Sequence, residues 1–573
     1  GEGGSLGERG ACGGPSRQSR GRRAWGGGWQ GVGGAAALPP GHWDLSAGDQ
    51  GSAAAAAFRL PDLAERPMHG DEAVNAVKLG ETIEGRGYEY DPHEYHGPTL
   101  NYLTLIPAWL GGVGSFVELR EAILRVVPVV FGTLLVLLLL PLGDGLGRVA
   151  AVFAALFMAV SPAMVFYSRY FIHEMLLVCF TAGAIVCGYR YLKRPGMLWA
   201  LLAGGCLGLM HATKETFIIA LGSMGGAVLV MLYDRWRVGQ WVNDIKQVRP
   251  VHCAVMLLAA VSVSVTFFSS FFSNAKGVAD SVLTYSTYLD RAGQTGLHEH
   301  PWHYYLGLLG HYQFADGPVF SELIVLLLAL VGLGFTLRGS VEGANAGLLR
   351  FVALYTVLMT VIYSLIPYKT PWCLLSFYHG IILLAGVGVA RLFRFKSIIF
   401  RFALGGLLLV GAWHLAWQSD AANNEYNADS RNPYVYAHTG SDIFDIADRV
   451  KEMAEAHEDG RDTPIQIFCP HDDYWPLPWY LRGYLVEYTN TVADESRSAP
   501  IILIQPPLEE ALMRKLFELP PPGQKELYMH LFDENGRETK MELRPEVEIR
   551  GFVAKSLWDR HERAKAEEKP GDK

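Results

Sequence analysis

"REAILRVVPVVFGTLLVLLLLPL", residues 120–142, has three charges, all within its first six positions, and then an unbroken apolar run. About twenty such residues wound as a helix cross the hydrocarbon core of a bilayer. Runs of the same kind recur near 148–167, 173–192, 196–212, 215–232, 251–272, 319–337, 347–367, 372–391 and 398–417. The composition agrees, with half of the 573 residues apolar, 18% charged and a mean hydropathy of +0.16. The pattern predicts a polytopic α-helical membrane protein of ten to eleven spans. Strands and helices alternating after residue 418 predict a C-terminal α/β domain.

Five of the seven cysteines, Cys179, Cys187, Cys206, Cys253 and Cys373, lie in or beside the apolar runs, and none forms a CxxC pair, which argues against a disulfide scaffold. Residues 418–573 hold 31 acidic against 19 basic residues, so an acidic tail follows a slightly basic membrane body. Alternate connections between the spans carry fourteen Lys and Arg, against five in the opposite set, namely Arg169, Lys214, Lys276, Arg291 and Lys369. Basic loops stay in the cytoplasm. Residues 62–119, 273–318 and 418–573 are therefore expected outside, in an integral protein of the cytoplasmic membrane.

The expected organisation is a low-complexity segment over 1–57, a first outer loop over 58–119, a helix bundle over 120–417 and a soluble extracytoplasmic unit over 418–573. The Gly-, Arg- and Ala-rich segment 1–57 lacks an apolar signal core, and is read as disordered or as a misassigned start with "GSAAAAAF" left from a lost first helix.

The outer loops concentrate the polar chemistry. "MHGDEAVNAVKLG" (68–80) places Asp71 and Glu72 side by side, and "HEYHGPTLNYL" follows at 93–103 with His93, Glu94 and His96. Farther on, "SRYFIHE" (168–174) supplies Arg169 and Glu174, "HATKE" (211–215) supplies Lys214 and Glu215, and "YKTPW" (368–372) supplies Tyr368, Lys369 and Trp372. Charges at the mouth of a helix bundle are costly unless used, so this set is expected to converge over an outward cavity. Singly, each is equally well a snorkelling helix-end charge.

The order of "GDEA", "HGPTLNYL", "SRYFIHE", "ATKETF" and "YKTPW" resembles the C-type (GT-C) membrane glycosyltransferases of the protein O-mannosyltransferase and aminoarabinose-transferase kind. It is more closely similar to the prokaryotic flippase-activity-associated proteins, which also carry "HPW" in a later outer loop and a run like "YWPLPWYLR" in the tail. The resemblance spans about residues 59 to 560. It implies a catalytic acidic pair at Asp71 and Glu72, and a second acidic position at Glu174, where family members often carry Asp.

Such a family implies transfer of a sugar from a polyprenyl-phosphate donor to an acceptor hydroxyl, on a glycan, a lipid or a protein. A carboxylate within ~3 Å of that hydroxyl can take its proton. The leaving phosphate needs positive charge rather than an acid, which makes Arg169, Lys214 and Lys369 candidates. Direct displacement by one base implies inversion. His96, Glu215, Tyr368, Trp372, His300 and Trp302 complete the expected substrate-binding set.

"HEHPWHYY" (298–305) gives His298, His300 and His303 zinc-like spacing, although a polar rim is the preferred reading. No cofactor is required, and a divalent metal is left open. In the tail, helices are expected near 441–457 and 508–517, and strands near 464–468, 500–505, 525–532 and 540–553, with Ser441 as a helix cap. "HDDYWPLPWYLRGY" (471–484) holds more aromatics than a small core needs; docking onto the outer loops, acceptor binding and core packing are equal readings. The competing functions are a transporter of lipid-linked sugars and a non-catalytic accessory protein. No nucleotide-binding or EF-hand motif appears, and the acidic tail gives no basis for nucleic-acid binding.

Overall fold

The computed structural model describes residues 45–93, 96–238, 248–292, 298–339, 341, 343–494, 498–521, 523, 525–534, 537–538 and 540–567. Glu94, expected near the site, lies outside them. Contacts divide the chain into two units, Gly1–Leu45 and Ser46–Lys573, and the membrane helices and the sheet all belong to the second.

Three helices precede the bundle: α1 (Leu45–Arg59), α2 (Gly70–Ile83) and α3 (Thr99–Leu110). Helix α1 takes in the "GSAAAAAF" stretch that the sequence offers as the remnant of a first helix. Its alanines favour helix, Ala55 is buried, and the buried Arg59 donates to the carbonyls of Met158 and Ala159 at 2.8 and 3.0 Å. Helix α3 leaves Ile106, Trp109 and Leu110 exposed, as the sequence suggests for a helix lying at a membrane surface.

The apolar runs become α4 (Glu121–Leu137), α5 (Arg148–Val160), α6 (Pro162–Ser168), α7 (Glu174–Lys193), α8 (Met197–His211), α9 (Phe217–Arg237) and α10 (Pro250–Phe268). After the loop helix α11 (Lys276–Ala292) come α12 (Leu323–Leu337), α13 (Ala346–Leu365), α14 (Leu375–Leu392) and α15 (Ile398–Asn423). Among the described residues, seven spans are long and apolar enough to cross a membrane, and the pair α5–α6, bent by 58°, is an eighth. The shorter apolar helices α8 and α12 account for the other two runs. The bend falls at Ser161-Pro162, where proline has no N–H to continue the ladder and the Ser161 hydroxyl caps Met164 at 3.3 Å.

Helices α7 and α14 form the centre, with 72% and 89% of their apolar windows buried, against 17–22% for the peripheral α9, α10 and α15. Small residues allow the tightest crossing: a Cβ on Gly332 of α12 or Gly388 of α14 would lie 2.0 Å from a carbonyl oxygen of the other helix.

Beyond α15 the chain builds a mixed sheet of β1 (Ile465–Phe468), β2 (Val486–Thr489), β3 (Ile501–Ile504), β4 (Tyr528–His530), β5 (Met541–Arg544) and β6 (Val547–Ala554). The order is β2-β1-β3-β6-β4, with β5 also on β6. Strands β1, β2 and β3 are parallel, and β6 runs against its neighbours. Helices α16 (Asp442–Ala456), α17 (Pro506–Met513) and α18 (Lys555–Glu567) complete the unit. The α/β reading holds. The half-exposed strand β2 went unforeseen, the run 540–553 is a hairpin rather than one strand, and Ser441 makes no side-chain cap.

The tail's aromatic run docks. Trp479 is fully buried, its Nε1–H donates to Glu121 Oε1 at 2.8 Å, and Arg482 lies over its ring while donating to Leu119 O at 2.9 Å. The α/β unit is thereby fastened to the start of α4.

Candidate active site

Helix α2 begins with a reciprocal cap. His69 Nδ1 accepts the Asp71 N–H at 3.0 Å, and Glu72 Oε2 accepts the His69 N–H at 3.1 Å. Because Nδ1 accepts, the ring proton sits on Nε2, 3.2 Å from the Tyr436 carbonyl. Adjacent helical residues point about 100° apart, and the two carboxylates separate accordingly. The Asp71 side chain is 54% exposed, and that of Glu72 is fully buried.

Glu72 is saturated. Arg125 grips both oxygens at 2.8 Å, Arg66 NH2 lies 3.2 Å from Oε1, and the Phe171 N–H donates to Oε1 at 2.9 Å. Burial alone pushes this carboxyl up, but Arg125 and Arg66 outweigh it and hold it at about 2. Arg125 also donates to the carbonyls of Leu63, Arg66 and Pro67. Glu72, expected to act beside Asp71, is thus buried with both oxygens engaged by two arginines and a backbone N–H.

Around Asp71 the predicted loops meet. Trp372 packs edge-on to His69, with centroids 5.8 Å apart, and to Tyr170 and Tyr436 at 5.9 and 6.0 Å. The Tyr436 hydroxyl lies 2.7 Å from His298 Nδ1 and 3.3 Å from His300 Nε2. His300 stacks on Tyr304 at 4.1 Å, and His298 packs on Tyr368, which is half exposed. Burial lowers the His298 pKa, and the charge of Asp71 opposes that shift. His303 and Trp302 instead pair with each other on the exposed surface. Among the described residues no group of three His, Cys, Asp or Glu side chains is placed to hold a metal ion. His298 and His300 meet at the Tyr436 hydroxyl, whereas His303 turns to Trp302.

Glu174, Lys214 and Glu215 belong to a second, buried cluster. Lys214 pairs with Glu174 Oε1, while Glu174 Oε2 has no hydrogen-bond partner among the described residues. Glu215 accepts from the Tyr90 hydroxyl at 3.0 Å and lies 2.9 Å from His96 Nδ1. His96 and His173, 5.3 Å apart edge-on, line a cleft with Asn75, Lys78 and Asn101 that has room for about one water molecule.

Two of the expected cations are engaged by backbone carbonyls. Lys369, almost fully buried, directs Nζ at the carbonyls of His300, Ile366 and Pro367 and so ties the two rim loops together. Arg169 is buried, donates to Asp62 O at 3.2 Å, and is lowered to about 10, by burial first and by Arg66 and Arg125 next.

Sequence reading passed over Arg66, Arg125 and the segment Tyr434–Thr439. Arg125 had a signal, since it is a charge inside an otherwise apolar run. The segment "YVYAHT" follows the last span and carries no motif, yet it lays Tyr436 and His438 against His69.

With this geometry in place, known proteins can be compared. Residues 96–275 match the family model described as dolichyl-phosphate-mannose-protein mannosyltransferase. The structure superposes on Cupriavidus metallidurans ArnT bound to undecaprenyl phosphate with a TM-score of 0.60 and 13% identity, covering 89% of this chain and 98% of that one. An Archaeoglobus fulgidus oligosaccharyltransferase tethered with an acceptor peptide gives a TM-score of 0.50 and 13% identity, over 77% of this chain. The match spans 63% of the oligosaccharyltransferase. A second structure from that organism, AglB with an inhibitory peptide and a dolichol-phosphate, gives 0.51 and 14%, over 81% and 69% of the two chains. No curated protein matches. The chain thus shares its fold with these solved structures. Its segment 96–275 is similar to the mannosyltransferase family model.

Proposed function

We propose that the protein transfers a sugar from a polyprenyl-phosphate donor to an acceptor hydroxyl at the outer face of the cytoplasmic membrane, with inversion, and that Asp71 is the base. The observation that carries this reading is the contrast at the start of α2: Asp71 is an exposed carboxylate on a rigid frame, next to a His69 that packs on Trp372 and meets the Tyr436 carbonyl, whereas Glu72 beside it is consumed by two arginines. Similarity to ArnT bound to undecaprenyl phosphate supports a lipid-phosphate donor. The charged groups gather at the outer ends of the helices rather than at the midplane, which favours transfer over transport.

In the proposed step the acceptor hydroxyl gives its proton to an Asp71 carboxylate oxygen as its own oxygen attacks the anomeric carbon. The bond from that carbon to the phosphate oxygen breaks, and polyprenyl phosphate leaves as an anion. Lys369 is the strongest candidate to receive it, because the partners of its ammonium are all neutral carbonyls, which an anion outcompetes. The acceptor is a glycan, a lipid or a protein, and the three segments that the basic-loop asymmetry puts outside face outward in this reading. The finer likeness to flippase-activity-associated proteins rests on sequence motifs alone.

Asp71→Asn tests the assignment. It keeps the shape of the side chain and removes its basicity, so turnover of a donor drawn from a panel of polyprenyl-phosphate sugars should fall ~10²–10⁴-fold with donor binding retained. Near-wild-type transfer by this variant would rule the base out.

A further inference from the structure

The two residues that lead into α2 are held by side chains from the far end of the chain. Met68 belongs to no helix or strand, so its buried N–H and C=O need partners. The N–H donates to the Tyr480 hydroxyl at 2.8 Å, and the C=O accepts from the Thr439 hydroxyl at 2.7 Å. Thr439 and Tyr480 are themselves buried. The next residue, His69, reaches the Tyr436 carbonyl through Nε2 and meets the edge of the His438 ring at 4.9 Å. On the opposite side Arg125 of α4 donates to the carbonyls of Arg66 and Pro67 and to Glu72. Residues 66–72 are thus clamped between a membrane helix and the α/β unit, and Asp71 is the exposed group on that clamped segment.

We infer that Thr439 and Tyr480 are positioning residues for Asp71, so that the α/β unit is a working part of the catalytic centre rather than a separate acceptor-binding module. This rests on the reading of Asp71 as the base. The N–H and the C=O of one residue, Met68, are fixed by hydroxyls separated from it by 412 and 371 residues of chain. Loss of either bond frees the backbone at Met68 to rotate and carries the first turn of α2 with it. A displacement of about 1 Å at the base is enough to cost on the order of 10²-fold in rate, while donor affinity, set by other residues, stays unchanged.

The test uses the full chain in lipid nanodiscs, with Thr439→Val, Tyr480→Phe, Thr439→Ser and Asp71→Asn. The readouts are hydrogen exchange of the amides of residues 68–72, melting temperature, and kcat and KM with dolichyl-phosphate mannose or undecaprenyl-phosphate aminoarabinose, whichever the unmodified protein consumes. Thr439→Val and Tyr480→Phe should speed exchange at 68–72 by about tenfold and lower kcat by about 10–100-fold at unchanged KM. Thr439→Ser, which keeps the hydroxyl, should restore both. Unchanged exchange in the Val and Phe variants overturns the inference, as does a Ser variant as defective as Val. If a variant melts well below the unmodified protein, Thr439→Ser decides, since it keeps the hydroxyl and gives up only the methyl group, whereas Thr439→Val keeps the bulk and gives up the hydroxyl. Failure of the base reading is separate: Asp71→Asn would then turn over normally, whatever the exchange at 68–72 shows.

Discussion

Glu72→Gln removes one charge from a buried group of three and leaves Arg66 and Arg125 facing each other without a counter-ion. Two routes give its cost. Removing one partner of a buried ion pair destabilises by about 3–5 kcal/mol. The fall of the Glu72 carboxyl from its ordinary 4.5 to about 2 corresponds to about 3 kcal/mol of stabilisation of the charged form by the fold. Because the folded value is depressed, that contribution is complete above pH 4.5 and is lost as pH falls from there toward 2. Glu72→Gln should therefore lower the melting temperature of the purified protein at neutral pH, followed by intrinsic fluorescence in nanodiscs, and should flatten the loss of stability between pH 4.5 and 2. Asp71→Asn, one residue away, removes an exposed charge at a helix start worth a few tenths of a kcal/mol and should melt like the unmodified protein. If Glu72→Gln melted unchanged while Asp71→Asn melted early, the division of labour between the two carboxylates would be reversed.

Lys214→Met should cost about 3–5 kcal/mol by stranding the buried Glu174, and adding Glu174→Gln should recover much of the loss, which a double-mutant cycle on melting measures. Lys369→Met leaves buried carbonyls of both rim loops without their donor; a loss of about 1–3 kcal/mol is expected together with a raised donor KM, and an unchanged KM would remove Lys369 from phosphate binding. Single cysteines placed at Arg194 and Asp462 in a cysteine-free background should label in opposite ways in intact cells, Asp462 from outside and Arg194 only after permeabilisation. Labelling of Arg194 from outside would invert the whole orientation.

The spans were legible because lipid leaves a chain little choice: backbone groups must pair within the segment, so each crossing prints about twenty apolar residues in a row. The bend in α5–α6 was legible in principle from Ser161-Pro162. The fate of Glu72 was legible too. Ala73, Ala76, Leu79 and Gly80 mark the buried face of α2, and Glu72 stands four, seven and eight residues before the last three of these, on the same stripe. A carboxylate in phase with alanines and a leucine announces a buried partner, and the arginine inside the α4 run is that partner.

What could not be read is the third wall of the site. The Tyr434–Thr439 segment has no periodicity and no motif, because its task is met by a backbone carbonyl, a threonine hydroxyl and aromatic faces, groups common to any loop. Its meaning arises only when the chain brings it across more than 360 residues onto His69 and Met68. The same limit applies to the cations. A lysine at a helix mouth has one sequence signature whether it holds a phosphate, a carboxylate or three carbonyls, and those outcomes differ in what the other loops present to it. Charge in the outer loops therefore located the candidate site, while the roles proposed within it rest on partners: Asp71, the residue with open access, is the one free to do the chemistry, and the residues with saturated partners, Glu72 and Arg125, hold the frame that aims it.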